Sequence, residues 1–322
     1  MSKTEPASCI IACSISLGIP LWNRKIDKSS KGVGSPEAGR WGRCQEMGIK
    51  GRKSSALLIP ILRDIDPERF AMIFYFSATG NSQHVAERIA AKTQNETVSI
   101  TECVKNRRFR FSVDHASVGI VVPTYAWGLP SIVRDFLQEL VLDGKPEYLR
   151  FVATCGSTSG QTGRFANELM KGKGLSFDSL FSVKMPDTWT PIFDLSDPQK
   201  VQRINQAAEK EIDFAIEKIQ NRAEGDFMRN KVPVVAAHLF YGLGYRAMRK
   251  TKHFRVEDSC IGCGLCAKKC PVSAIEIRDK KPVWVKDSCV ICLSCLHRCP
   301  KFSIQYGRRT KCHGQYVNPN VK

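Results

Sequence analysis

Ala71-Met-Ile-Phe-Tyr-Phe76, followed by Ser77-Ala-Thr-Gly-Asn-Ser82, decides the fold of this chain. Six apolar or aromatic residues in a row have the pattern of a strand buried on both faces. Beyond the loop, Gln83–Ala91 sets Val85, Ala86, Ile89 and Ala90 at helical spacing. The unit is therefore a strand, a hydroxyl- and glycine-rich loop, and a helix. Such a loop points backbone N–H groups outward at the positive end of the helix dipole. Gly80 lets the backbone approach an anion closely, and Ser77, Thr79 and Ser82 add hydroxyl donors. No Lys or Arg lies in the loop, which argues against a nucleoside triphosphate and suits one terminal monophosphate. An ordinary polar turn stays open on this loop alone.

Two loops further along narrow the choice. Ser117–Val122 reads as a second buried strand, followed by Pro123-Thr-Tyr-Ala-Trp-Gly-Leu-Pro130 and an amphipathic helix with Ile132, Val133, Phe136, Leu137 and Leu140 inward. Tyr125 and Trp127 thus sit at a strand's C-terminal end, where open α/β sheets bind ligands. They can stack on a flat ring system or pack under the loop. Arg150–Thr154 is a third strand, leading into Cys155-Gly-Ser-Thr-Ser-Gly-Gln-Thr-Gly163, whose backbone N–H groups can meet a ligand edge. Leu180–Lys184 reads as a further strand and Asp197–Gln220 as a long helix.

These three strand-end loops, in this order, resemble those of a flavodoxin over about residues 71–221. The resemblance implies an α/β doubly wound parallel sheet in the order 2-1-3-4-5 with FMN across the ends of strands 1, 3 and 4. It implies that Ser77, Ala78, Thr79, Gly80, Asn81 and Ser82 hold the phosphate. Thr124, Tyr125, Ala126, Trp127 and Gly128 would line the isoalloxazine, flanked by Tyr125 and Trp127. Cys155, Gly156 and Gly160 would border its pyrimidine edge. The near-neutral charge of residues 72–243, +1, departs from the strong acidity of flavodoxins.

Downstream, Cys260-Ile-Gly-Cys263-Gly-Leu-Cys266-Ala-Lys-Lys-Cys270-Pro271 is repeated as Cys289-Val-Ile-Cys292-Leu-Ser-Cys295-Leu-His-Arg-Cys299-Pro300. Three thiolates at this spacing curl round one face of a 4Fe–4S cube, and in two-cluster ferredoxins the fourth Cys ligates the other cube. The expected ligand sets are Cys260, Cys263, Cys266 and Cys299 for one cluster, and Cys289, Cys292, Cys295 and Cys270 for the other. Zinc ribbons use paired C-x2-C instead of tandem triplets with trailing Cys-Pro. Ser273–Ile277 and Phe302–Tyr306 follow as matching short strands. This internal repeat resembles bacterial two-cluster ferredoxins over residues 254–309. His297 is expected at the surface, because eight sulfurs already satisfy both clusters.

Charge and cysteine are both local. Of the 322 residues and net +18, residues 1–71 carry +5 and residues 244–322 carry +12. A general nucleic-acid reading therefore loses weight, and only His253 and Phe254 interleave with the basic run Arg246–Arg255. Eight of 14 Cys lie between Cys260 and Cys299, which fits metal ligation in a reducing cytoplasm and not a secreted disulfide scaffold. The others are expected to be inert, Cys155 alone having a place beside a flavin. No apolar run is long enough for a transmembrane helix.

The expected organisation has an N-terminal extension over 1–70, either disordered or, with translation starting at Met72, spurious. An FMN-binding domain follows over 71–222, then a connector over 223–253, a cluster domain over 254–309 and a tail over 310–322. The apolar patch Ile10–Trp22 lacks the flanks of a signal peptide. In the connector, Val232–Tyr245 packs between domains or, helped by Arg246, Arg249 and Lys250, touches a membrane surface. The whole resembles flavodoxin–ferredoxin fusion proteins of anaerobes over about residues 72–322. The expected function is electron transfer through FMN and two clusters to redox partner proteins, acidic ones among them. The alternatives are a flavin-dependent reductase fed by the clusters, and a scaffold with an idle phosphate loop. No catalytic acid, base or nucleophile set stands out.

Overall fold

Burial on both faces puts β1 (Met72–Tyr75) inside a sheet, as its apolar run requires. The computed structural model describes residues 71–321, which fall in one compact unit; the expectations for residues 1–70 lie outside the described residues. After β1 come α1 (Asn81–Thr93), β2 (Glu96–Ser99), α2 (Ile100–Lys105), β3 (Arg110–Ser112) and β4 (Ser117–Pro123). Then follow α3 (Ser131–Glu139), β5 (Val141–Asp143), β6 (Tyr148–Cys155), α4 (Thr162–Lys171), β7 (Ser179–Lys184), α5 (Pro198–Gln220) and β8 (Gly225–Asp226).

The main sheet runs β2-β1-β4-β6-β7-β8, parallel throughout. Its first five strands keep the doubly wound order that the flavodoxin resemblance implies. The two-residue β8 adds an edge within the stretch read as connector. β3 and β5 pair with each other as a separate parallel ribbon. Alternation along the strands splits the core in two. Ile73, Val121 and Val152 face α1 and α5, against Val85, Ile89, Ile212 and Ile216. Phe74, Ile120 and Phe151 face the other layer, against Phe136, Leu137 and Phe165. Asp197 caps α5 by accepting from the N–H groups of Gln199 and Lys200, with Pro198 at the first helical position.

The C-terminal part is an α+β unit with its own core. β9 (Phe254–Val256) pairs antiparallel with β12 (Ile304–Tyr306), and β10 (Ile275–Arg278) with β11 (Lys281–Trp284). The 29-residue repeat extends to the backbone. Gly262 and Gly264 have φ of +67° and +75°, and their counterparts Ile291 and Leu293 have +56° and +54°. Ser273 and Phe302, at +47° and +49°, likewise match. The expected strands begin two residues later than read, because these left-handed residues end the Cys-Pro turns. A β-branched residue at such φ is strained, so the surrounding turn must dictate the conformation of Ile291.

α6 (Val234–Leu239) continues through a wider π turn, Phe240–Tyr245, into Arg246–Met248. It bridges the two parts. The Tyr245 hydroxyl accepts from the Ser131 N–H and donates to the Val290 carbonyl, each at 3.0 Å. Tyr241 donates to the Leu129 carbonyl at 2.6 Å and stacks on Tyr245 with centroids 5.3 Å apart. Gly128 permits this, since a Cβ there would lie 2.6 Å from the Tyr241 ring.

Candidate functional site

A cavity of about 700 Å³ opens at the C-terminal ends of β1, β4, β6 and β7. Ser77, Ala78, Thr79, Asn81 and Ser82 line it, with Thr124, Tyr125, Ala126, Trp127, Cys155 and Gly156. The structure thus gathers these residues from the three loops in one place. Gly80, Gly128 and Gly160 are not on the wall; they set the backbone behind it. Gly80 has φ +101° and precedes α1, and its N–H donates to Ser77 Oγ at 3.1 Å. The loop is fixed from two sides by the Ser82–Thr154 hydroxyl bond (2.7 Å) and by Asn81 Nδ2 donating to the Pro186 carbonyl (3.2 Å). The N-terminus of the 13-residue α1 lies behind it, so the loop suits an anion.

The second loop is a tight hairpin. Tyr125 and Gly128 exchange both backbone hydrogen bonds at 2.9 Å, with Ala126 and Trp127 at positive φ between them. Trp127 packs on Phe240 at 4.6 Å between centroids, and Tyr125 meets the edge of Phe76 at 6.3 Å. Burial holds the Tyr125 phenol well above its usual pKa, so it stays protonated. The third loop comes so close that a Cβ on Gly160, at φ +58°, would sit 2.4 Å from Trp127 Cα. Burial pushes the Cys155 thiol up to about 12, so it is present as a thiol.

Sequence reasoning missed Asp187, on the loop after β7. Its carboxyl lines the cavity, is raised by burial, and accepts from the N–H groups of Trp189 (3.1 Å) and Ser157. Gly156 makes room for it: a Cβ there would lie 2.1 Å from Asp187 Oδ2. The available signal was positional, since Met185-Pro-Asp187 is the fourth strand end in line. Hydroxyl-rich anion loop, aromatic walls and volume together fit an FMN-sized ligand.

Two small cavities, about 20 Å³ each, lie in the C-terminal part. Cys260, Cys263, Cys266 and Cys299 line the first; Cys270, Cys289, Cys292 and Cys295 line the second. Each therefore joins three thiols of one run to the fourth of the other. Among the described residues, no three His, Cys, Asp or Glu form a group that could hold a single metal ion. Backbone N–H groups already point at sulfur: Ala274 to Cys270, Ser303 to Cys299 and Ile291 to Cys289, at 3.2–3.3 Å. Burial pushes Cys289 up to about 11 and Cys292 and Cys295 higher still. Thiolates in such a place need bound positive charge to balance them. The donor set fits a cube, with sulfurs ringing a space and not meeting at a point.

The cavities adjoin. Cys292 and Leu293 line both the large cavity and the second thiol cavity. His297, expected at the surface, is instead 3% exposed. Its Nδ1 accepts from the Tyr316 N–H at 3.2 Å, which leaves Nε2–H to donate to the Thr188 carbonyl at 2.8 Å. Burial drives its pKa down to about 4. Arg298 Nε donates to the Ala78 carbonyl at 2.9 Å, directly on the anion loop. The tail returns to the same loop. Asn318 N–H donates to the Thr79 carbonyl at 2.7 Å, and Tyr316 and Asn318 donate to Asn81 Oδ1 at 3.0 and 3.1 Å.

Residues 72–214 match the family model of a flavodoxin domain, and residues 252–300 that of a 4Fe–4S dicluster domain. Solved structures similar to the first part include rubredoxin oxygen:oxidoreductase from the anaerobe Desulfovibrio gigas, at 16% identity and TM-score 0.30 over 46% of this chain and 37% of that one. A flavodiiron core from Synechocystis is 18% identical at TM-score 0.28 over 48% of this chain and 37% of that one. An azoreductase from Bacillus anthracis is 10% identical at TM-score 0.29 over 46% and 99%. The match thus spans little more than a third of the first two chains. Comparison with curated proteins gave no match.

Proposed function

With a flavodoxin domain joined to a 4Fe–4S dicluster domain as the premise, making the chain a flavodoxin–ferredoxin fusion, we propose that it relays electrons between FMN and two 4Fe–4S clusters. Bound FMN takes up two electrons and yields them singly, and a 4Fe–4S cube carries one at a time. The chain's own residues supply positions and surroundings. Ser77–Ser82 would hold the phosphate, with Arg298 on the loop backbone. Tyr125 and Trp127 would wall the ring. Cys270, Cys289, Cys292 and Cys295 would hold the inner cube, and Cys260, Cys263, Cys266 and Cys299 the outer.

One observation carries this reading: Cys292 is a wall common to the large cavity and the inner thiol ring. The outer ring is nearer solvent. Cys263 is exposed and Ile261 beside it is 58% exposed, which makes this the port for a partner. Its lysines, Lys268 and Lys269, suit an acidic one. Protein prepared without oxygen should contain about eight iron and eight sulfide, four per cube. Cys299→Ala should unseat the cube of Cys260, Cys263 and Cys266 and leave the other, read by electron paramagnetic resonance. Zinc in place of iron, or loss of the inner cube alone, overturns the reading.

The runner-up, a flavin-dependent reductase, is favoured by the cavity's volume and by Asp187 on its wall. A small molecule that oxidises the reduced flavin faster than any protein acceptor would select it.

A further inference from the structure

We propose that the helix from Val234 to Met248 is a foot that rests on an anionic lipid surface. Its two sides differ in an unusual way. Inward, Ala237, Tyr241 and Tyr245 pack against the body at a spacing of four residues. Outward, at the same spacing, Val235, Leu239 and Leu243 are 80%, 63% and 69% exposed. At 3.6 residues per turn such a stripe would drift round the axis. The π turn from Phe240 to Tyr245 carries more residues per turn, so both stripes run nearly straight. The outer side of a surface helix is ordinarily polar. Here no Lys, Arg, Asp or Glu occurs from Val234 to Tyr245.

The flanks are basic. Between Phe227 and Val256 there is no Asp or Glu at all. Arg229, Arg246, Lys250, Lys252 and Arg255 are exposed, and Lys231 pairs with Asp226. Apolar side chains beside cations are the composition of an interfacial helix, and an anionic leaflet is their complement. The three apolar residues project into solvent, the least of them 63% exposed. A lipid leaflet closes round such projections without a matching shape, whereas a protein partner must supply one. Among the described residues no helix is long and apolar enough to cross a membrane, so contact is with one leaflet. The stripe also leads to the large cavity: Phe240 and Ile192, 38% and 64% exposed, line its wall. A resting foot would turn that opening toward lipid.

Flotation of the full chain with vesicles tests this without any redox step, so its outcome is separate from that of the relay. Vesicles of phosphatidylcholine alone and of an equal mixture with phosphatidylglycerol are the probes. The chain should float with the mixed vesicles and not the neutral ones, and added salt should weaken binding. The double variant Leu239→Glu, Leu243→Glu should bind about tenfold more weakly or worse, with iron and flavin content unchanged as the sign of an intact fold. Equal flotation of variant and native chain overturns the proposal. So does a native chain that never floats, including one that pairs in light scattering and comes apart in the double variant.

Discussion

Tyr245 is the residue on which the joint between the two parts turns. Its phenol satisfies the Ser131 N–H and the Val290 carbonyl, one from each part. Tyr245→Phe leaves two buried backbone groups unpaired. The variant should lose about 2 kcal/mol in urea unfolding while flavin and iron contents stay unchanged. A stability equal to the native chain's would show that the bond does not hold the joint. At this scale the sequence was legible only where a residue's neighbours are local. The spacing marked out the eight cysteines, the likeness to two-cluster ferredoxins sorted them into two sets, and the cavities group them in those same sets. His297 could not be placed, because what buries it, Thr188 and Tyr316, lies 109 and 19 residues away. Nor could spacing say that Ile291 and Leu293 adopt the left-handed turn that glycines adopt in the first repeat.

Strand-end loops are the elements that build the large cavity, and Gly156 is where two of them touch. Gly156→Ala would drive a methyl into the Asp187 carboxylate, so the third or fourth loop must move. Flavin content should fall severalfold, by about 1–3 kcal/mol of overpacking, with iron retained. Equal loss of iron would mean that the substitution unfolds the chain. Three of the four loops were readable because glycine and hydroxyl residues follow apolar strands. Asp187 escaped because Met185-Pro-Asp187 has neither mark. β2 (Glu96–Ser99) escaped for a related reason: it is a half-exposed edge, without the apolar run that identified β1 and β4. β8, of two residues, is too short to leave any period.

At the level of the whole molecule, the order of the two parts was plain from the sequence, but their docking was not. Nothing in Gln315–Val321 announces that it crosses to the first part and ties the anion loop at Thr79 and Asn81. Removing residues 317–322 takes away both Asn318 bonds and should weaken flavin binding about tenfold, as one or two lost hydrogen bonds would. Iron should remain, because Gln315, which donates to the Leu296 and Cys299 carbonyls, is kept. Unaltered flavin affinity would reduce the tail to packing.

The ties made by His297, Arg298 and the tail have a kinetic meaning. A carrier module on a slack tether spends part of each cycle swinging between stations, and thick solvent slows it. Among the described residues these ties leave no such arm to swing. Internal passage should be indifferent to viscosity, and every delay that glycerol causes belongs to collisions with molecules outside.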